Sequence, residues 1–266
     1  MQIATWNVNS IAARLPHVVR WLGAARPDVL CLQETKCPDD RFPYEALAEI
    51  GYRAAHWGAP TYNGVAILAR DEIADVRRGF YDFGDDASED DPNPFVTQPR
   101  LLTATVRGVR VVCAYVPNGQ SVGTDKYDNK LRWLDRLYEF FDATFGRGEP
   151  LALCGDFNVA PDDRDVHDPA KWRGRILCSD AERARIEALK EWGLSDAFRL
   201  HTSDAGHFSW WDYRGGDFRR NEGLRIDHVW VSEPLAARSV RTWIDAAPRA
   251  WERPSDHTPV VAEFAD

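Results

Sequence analysis

An α/β architecture of two packed sheets with helices outside is predicted by three observations on this 266-residue chain. Short apolar runs of strand length recur from end to end. A few amphipathic helical patterns separate them, and no linker, low-complexity tract or fixed-period repeat divides the sequence. The chain is therefore read as one domain spanning 1–266, long enough to bury roughly three quarters of its unfolded surface.

In chain order, Ile3 to Asn7 reads as the first strand. "RLPHVVRWLGAARP" places Leu15, Val18, Val19 and Leu22 on one helical stripe, stopped by Gly23 and Pro27. "DVLCLQE" and "NGVAILA" are buried strands. An acidic, proline-containing loop at 84–99 interrupts the pattern, and "LLTATVR" and "VRVVCAYV" then form a hairpin turning near Gly108. The longest helix runs from about 125 to 145. Its Tyr127, Leu131, Leu134, Tyr138, Phe141 and Phe145 recur at threes and fours, a core-packing stripe. "PLALCGDFNVAP" opens as a strand buried on both faces and stops at Gly155. "SDAERARIEALKEWG" is a helix with a Ser179–Glu182 capping box and a stop at Gly193. "HFSWW", "RIDHVWV" and "PVVAEF" are the last strand patterns.

No apolar run approaches the ~18 residues a membrane helix needs, and the start lacks the basic region of a signal peptide. The five cysteines include no CxxC pair, and Cys31, Cys113 and Cys154 lie inside strand patterns, which points to buried thiols in a reduced, cytoplasmic setting. A net charge of −9 argues at first against a nucleic-acid partner. The charge is uneven, however: "DFGDDASEDD" (82–91) holds six acids and no base, whereas "RGGDFRRNEGLR" (214–225) has four arginines against two acids. An acidic total with a basic segment is compatible with DNA binding.

Several strand patterns end in the same way. Asn7, Glu34, Tyr115 with Asn118, and Asp156 with Asn158 each stand at a strand terminus, where α/β scaffolds carry functional groups. In "RIDHVWV", Asp227 shares the parity of Val229 and Val231 and should face inward with them. A buried carboxylate needs a partner, and His257, next to Asp256 ahead of the last strand, is of the right type. His17, His56, His167, His201, His207 and His228 have no such setting and read as structural. The inventory is oxygen and imidazole without a thiolate cluster, which selects Mg²⁺ or Mn²⁺ over zinc. Glu34 is the first ligand choice, with Asp256 and Asn7 near it, and the set suits attack of water on a phosphate ester.

With these residues assembled, the chain resembles the exonuclease III family of DNA-repair nucleases, within the DNase I-like endonuclease/exonuclease/phosphatase superfamily. The ordered motifs are "WNVNS" (6–10), "QETK" (33–36), "YVPNG" (115–119), "GDFN" (155–158), "FSWWDY" (208–213), "GLRIDH" (223–228) and "SDH" (255–257). The resemblance implies a four-layer α/β sandwich with two mainly antiparallel sheets. It implies that Glu34 binds Mg²⁺, with Mn²⁺ as a substitute, supported by Asn7 and Asp256. Asp156 positions or deprotonates the attacking water, and Asn158 hydrogen-bonds that water or the phosphate. His257, oriented by Asp227, stabilises the phosphate, which Tyr115 and Asn118 also contact. The base is left open among Asp156, Tyr115 and His257. By the same resemblance Phe208, Trp210 and Leu224 are expected to line the pocket for the abasic sugar, and Lys36, Arg100, Asn221 and Arg225 are candidates for backbone phosphates. Asn9 stands where some relatives carry an acid.

The implied function is Mg²⁺-dependent cleavage 5′ of abasic sites, with 3′→5′ exonuclease and 3′-phosphodiesterase activity, by a cytoplasmic monomer. Its partner is double-stranded DNA with abasic or blocked 3′ ends, and no membrane. The competing readings are a superfamily phosphohydrolase acting on a phosphodiester other than DNA and a non-catalytic DNA-binding relative.

Overall fold

Two six-stranded sheets face one another, each covered on its outer side by helices. The computed structural model describes residues 1–80 and 97–266, so the acidic segment 82–91 and most of the 84–99 loop lie outside the described residues. The strands are β1 (Gln2–Asn7), β2 (Val29–Gln33), β3 (Arg53–Trp57), β4 (Val65–Ala69), β5 (Ala74–Arg78), β6 (Leu101–Val106), β7 (Val109–Tyr115), β8 (Leu151–Asp156), β9 (Leu194–Asp196), β10 (Asp227–Ser232), β11 (Ser239–Ile244) and β12 (Val260–Phe264). One sheet has the order β11-β12-β1-β2-β4-β3 and the other β5-β6-β7-β8-β10-β9. β1 pairs with β2 in parallel, as does β7 with β8; the other neighbours are antiparallel.

Strand alternation divides the apolar residues between layers. Ile3, Cys31, Ile67, Val111, Cys154 and Val229 meet between the sheets. Trp6, Leu30 and Leu32 turn outward beneath helix α1 (Ile11–Ala25), where they meet Val18 and Leu22. Leu151, Leu153 and Trp230 turn outward beneath α2 (Asp125–Thr144) and α3 (Asp180–Trp192). The central strands are thus buried on both faces and read as unbroken apolar runs. Ser179 and Glu182 form the expected capping box, and Gly193 ends α3. The β6–β7 hairpin turns on Arg107 and Gly108, both at positive φ (50° and 77°), as a two-residue turn with right-handed strand twist requires.

The structure adds four strands to the reading and corrects two expectations. β3, β5, β9 and β11 were not marked by apolar runs, and they are the four sheet edges. β5 is largely exposed and β11 partly so; such edges carry polar residues that block further pairing. "HFSWW" forms no strand: Trp210 makes only isolated bridges to Leu224 and His257. On α2 the buried face is wider than the expected stripe and centres on Trp133, Leu137 and Phe140, with Lys130 inside it.

At Gly155, β8 lies too close to β7 for a side chain. A side-chain carbon there would lie 1.9 Å from the Ala114 carbonyl oxygen, with no flexible group to yield. Gly155→Ala is therefore expected to cost about 3 kcal/mol of stability, read as a lower urea midpoint, because the strand must shift. Asp156 follows directly, so the strand that would move carries the first residue of the site.

Candidate active site

The two parallel strand pairs bring the polar termini together. Register places Asn7 opposite Gln33 on β1–β2 and Tyr115 opposite Asp156 on β7–β8, with Asp227 of antiparallel β10 opposite Asp156 on its other side. Because the sheets stack face to face, these ends open into one cleft. Asn7 spans it: its Nδ2 donates to Glu34 Oε1 at 2.9 Å and to Asp156 Oδ2 at 2.8 Å.

Asp156 is 1% exposed, and the chain around it is arranged to serve it. Asn158, in the left-handed region at φ 50°, donates its backbone N–H to Asp156 Oδ1 at 2.9 Å and its side-chain amide to Oδ2 at 3.3 Å. Asn118 Nδ2 donates to Asn158 Oδ1 at 3.0 Å, so the two carboxamides lie side by side. Burial, partly offset by the His257 charge, pushes Asp156 up to about 7. A carboxylate so raised is a better proton acceptor near neutral pH.

His257 Nδ1–H donates to Asp227 Oδ2 at 2.9 Å and Oδ1 at 3.1 Å, as expected of a nitrogen facing an ionised carboxylate. The Ser209 hydroxyl donates to Asp227 Oδ2 at 2.7 Å and accepts the backbone N–H groups of Ile226 and Asp227. Nε2 of the ring then points across the cleft, 3.8 Å from Asp156 Oδ2. Burial alone would lower the imidazole pKa, but Asp227 and Asp156 raise it to about 10. The ring is cationic at neutral pH. Tyr115, by contrast, is driven well above the ordinary phenol range by burial and by Glu34 and Asp156. It remains protonated and donates to Glu34 Oε1 at 2.8 Å, so it is a donor here rather than a base.

The opposite wall is made of oxygen groups. Glu34 Oε2 lies 2.7 Å from Lys36 Nζ, which also donates to Asn9 Oδ1 at 2.6 Å. Asn9 Nδ2 donates onward to Asp256 Oδ1 at 3.0 Å, and Trp210 Nε1–H to Asp256 Oδ2 at 3.1 Å. Burial would raise Glu34, yet the Asn7 and Lys36 donors hold it below its usual range. Asp256 is held low in the same way, by His257, Asn9 and Trp210 against burial. Ligand atoms of Asp156, Asp227 and His257 also lie within 4.8 Å of one another, a spacing a metal ion can use. Two of those three are already paired with each other. Glu34 and Asp256 are ionised oxygen groups of the kind a hard cation takes; here Asn7, Tyr115 and Lys36 satisfy the first, and Asn9 and Trp210 the second. A cavity of about 480 Å³ opens beside it, lined by Glu34, Arg100, Tyr115, Asn118, Lys126 and Trp133 among others.

Asn7, Glu34, Tyr115, Asn118, Asp156, Asn158, Asp227, Asp256 and His257 thus share one cleft. The groups expected to meet DNA divide. Lys36 reaches the wall. Arg100 is stacked on the Tyr115 ring at 4.7 Å and donates to Gln98 and to the Tyr115 carbonyl. Asn221 is exposed but accepts from Trp211 Nε1 and donates to the Gly206 carbonyl, tying the 206–221 loop. Trp211, of opposite parity to Trp210, is buried, while Trp210 remains partly open at the cleft. Two expectations are corrected. Leu224 is fully buried in a satellite core with Val166, Leu177 and Ile226, beneath Trp210, and does not form an open wall. Arg225 is fully buried and paired with Asp165 and Asp196, beside His228 and on the Trp230 side of the sheet. It has no surface to offer a phosphate.

Sequence reading missed Ser209, Ser255 and Lys130. Ser255 donates to the Asn7 carbonyl at 2.7 Å and accepts the His257 N–H. Its signal was its position in "SDH". Lys130 gave none, since a charged residue in an amphipathic helix reads as solvated.

The chain matches the Endonuclease/Exonuclease/phosphatase family over residues 4–257. It is 34% identical to exodeoxyribonuclease III of Haemophilus influenzae over 276 residues, covering 99% of this chain and 100% of that one. The 3′ phosphatase NExo from Neisseria, bound to a product DNA hairpin, superposes with a TM-score of 0.93 at 42% identity, with full coverage of both chains. An AP endonuclease from Archaeoglobus fulgidus does so with a TM-score of 0.93 at 37% identity, again over the whole of both chains.

Proposed function

Because the chain belongs to the Endonuclease/Exonuclease/phosphatase family, we propose that it is a DNA-repair nuclease that cuts the phosphodiester 5′ of abasic sites in duplex DNA. In the same reading it trims 3′ ends by 3′→5′ exonuclease and 3′-phosphodiesterase action, as a monomer of the reduced cytoplasm. Five free, buried cysteines fit that compartment, and no helix among the described residues is long and apolar enough to cross a membrane. The observation that carries the reading is the convergence of Asp156 and the Asp227-held His257, with Asp156 Oδ2 3.8 Å from His257 Nε2 and Asn158, Asn118 and Tyr115 beside them.

The residues divide the work as follows. A water attacks phosphorus and passes its proton to Asp156, whose raised pKa suits that task. The P–O3′ bond breaks, leaving a 3′-hydroxyl that takes a proton from solvent and a 5′-phosphate on the abasic sugar. The His257 cation, fixed by Asp227, and the Asn118 and Asn158 amides hold the charge that develops on the phosphate oxygens. Trp210, partly open beside Asp256, offers an apolar face for a sugar without its base. Glu34, with Asp256 and Asn7, would hold Mg²⁺ or Mn²⁺. When bound, such an ion neutralises phosphate charge and acidifies water.

A duplex bearing one abasic site tests this directly. With Mg²⁺, a single nick immediately 5′ of the lesion and a 3′-hydroxyl end are expected; with EDTA, no nick. An intact abasic strand in Mg²⁺ overturns the proposal.

A further inference from the structure

A buried charge behind the cleft reaches its residues from the outer layer. Lys130 has no exposed surface and shares its side of α2 with Tyr127, Trp133, Leu134 and Leu137. Removing an ammonium from water is costly unless each of its three protons finds an acceptor. All three do: the Asn158 carbonyl at 2.6 Å, the Asn118 carbonyl at 3.2 Å, and Glu182 Oε1. Two of the three acceptors are therefore backbone groups of cleft residues, although α2 packs on the outer face of the sheet.

The stem contributes as well. A side-chain carbon on Gly119 would lie 3.0 Å from Lys130 Cδ, so the Asn118–Gly119 turn rests on the lysine. Glu182 in turn accepts the Leu177 and Ser179 N–H groups and the Ser179 hydroxyl, so the α3 capping box fixes the carboxylate. From the lysine, hydrogen bonds run on through Asn118 and Asn158 to both oxygens of Asp156.

The geometry points to Lys130 as a positioning residue for phosphodiester hydrolysis: its ammonium clamps the Asn118 and Asn158 carbonyls and so holds the two carboxamides and Asp156 in working order. The assignment rests on the hydrolase reading above. A purely structural ion pair behaves differently. When both partners are replaced, stability is often kept or improved, whereas removing one strands a buried charge. A clamp is not restored by replacing both partners, because two carbonyls are left without their donor.

Lys130→Met and the double variant Lys130→Met/Glu182→Gln separate these roles, since glutamine keeps the capping box. Thermal midpoints, kinetics on the abasic duplex, and side-chain amide resonances of ¹⁵N-labelled protein are compared. The single variant should lose stability and the double should regain most of it. In both, kcat should stay about ten- to a hundredfold low, as expected of misplaced groups, with KM within about threefold. The Asn118 and Asn158 amide resonances should move in both, while that of Asn221 stays. Wild-type kcat in the double variant, or unmoved Asn118 and Asn158 resonances, overturns the assignment. If the wild-type protein leaves the abasic duplex intact, the hydrolase reading fails on that control, and the resonances still decide the clamp.

Discussion

Asp156→Asn is expected to lower kcat for abasic-duplex cleavage by about 10³-fold, with duplex affinity changed less than about threefold. The substitution keeps shape, and the carboxamide oxygen can still accept from Asn7 or Asn158. It removes the proton acceptor, and it removes one of the two carboxylates that raise His257. A loss confined to kcat is the mark of an interaction made in the transition state. Cleavage at the wild-type rate by this variant would refute the role of Asp156. The pH profile gives an independent check. Asp156, raised to about 7, must be ionised to accept a proton, so the rate should climb as pH rises through about 7. His257, raised to about 10, must keep its proton, so the rate should fall as pH passes about 10. The two groups lie 3.8 Å apart, so both limbs belong to the pair and Asp156→Asn should flatten the lower one.

Much of this was legible in the sequence, for a reason particular to the fold. The eight inner strands are covered on both faces and appear as apolar runs, so the place where each run stops at Asn7, Glu34, Tyr115 or Asp156 marks the cleft. Asp227 stood out because a carboxylate at inward parity breaks a strand that is otherwise apolar. The edge strands did not stand out, because half of what defines them is solvent. What eluded reading were polar residues whose partners are far away in sequence. Lys130 meets Glu182 and Asn158 only once α2 has packed, and Arg225 meets Asp165 across 60 residues. The motif "GLRID" marks its neighbourhood correctly and leaves the direction of its arginine open, since its charge suggests solvent while its carboxylate partners lie elsewhere in the sequence. Asp165 and Asp196 decide it.

That decision carries a large expected effect. Arg225 donates Nε to Asp165 Oδ1 at 2.7 Å and Nη2 to Asp196 Oδ2 at 2.6 Å, and Arg199 also pairs with Asp165. Its Nη1 lies 2.9 Å from His228 Nδ1, whose ring is kept neutral, its pKa lowered to about 4 by burial and by Arg225, and is placed to donate Nε2–H to the Val159 carbonyl. Arg225→Met leaves buried carboxylates without their main cation and is expected to cost about 3–5 kcal/mol, a drop in Tm on the order of 10 °C for a chain of this size. The sign of its pH dependence follows from Asp165. Burial would raise that carboxyl, but Arg225 and Arg199 hold it below its ordinary value, so its contribution is full above about pH 4 and is lost as pH falls through the lower native value. The gap between wild type and variant should therefore be widest at neutral pH and narrow in acid. DNA binding separates the buried role from a phosphate contact. An arginine that neutralised a backbone phosphate would, when removed, reduce the slope of log K against log salt by about one. A residue enclosed behind the cleft should leave that slope unchanged at temperatures where the variant remains folded.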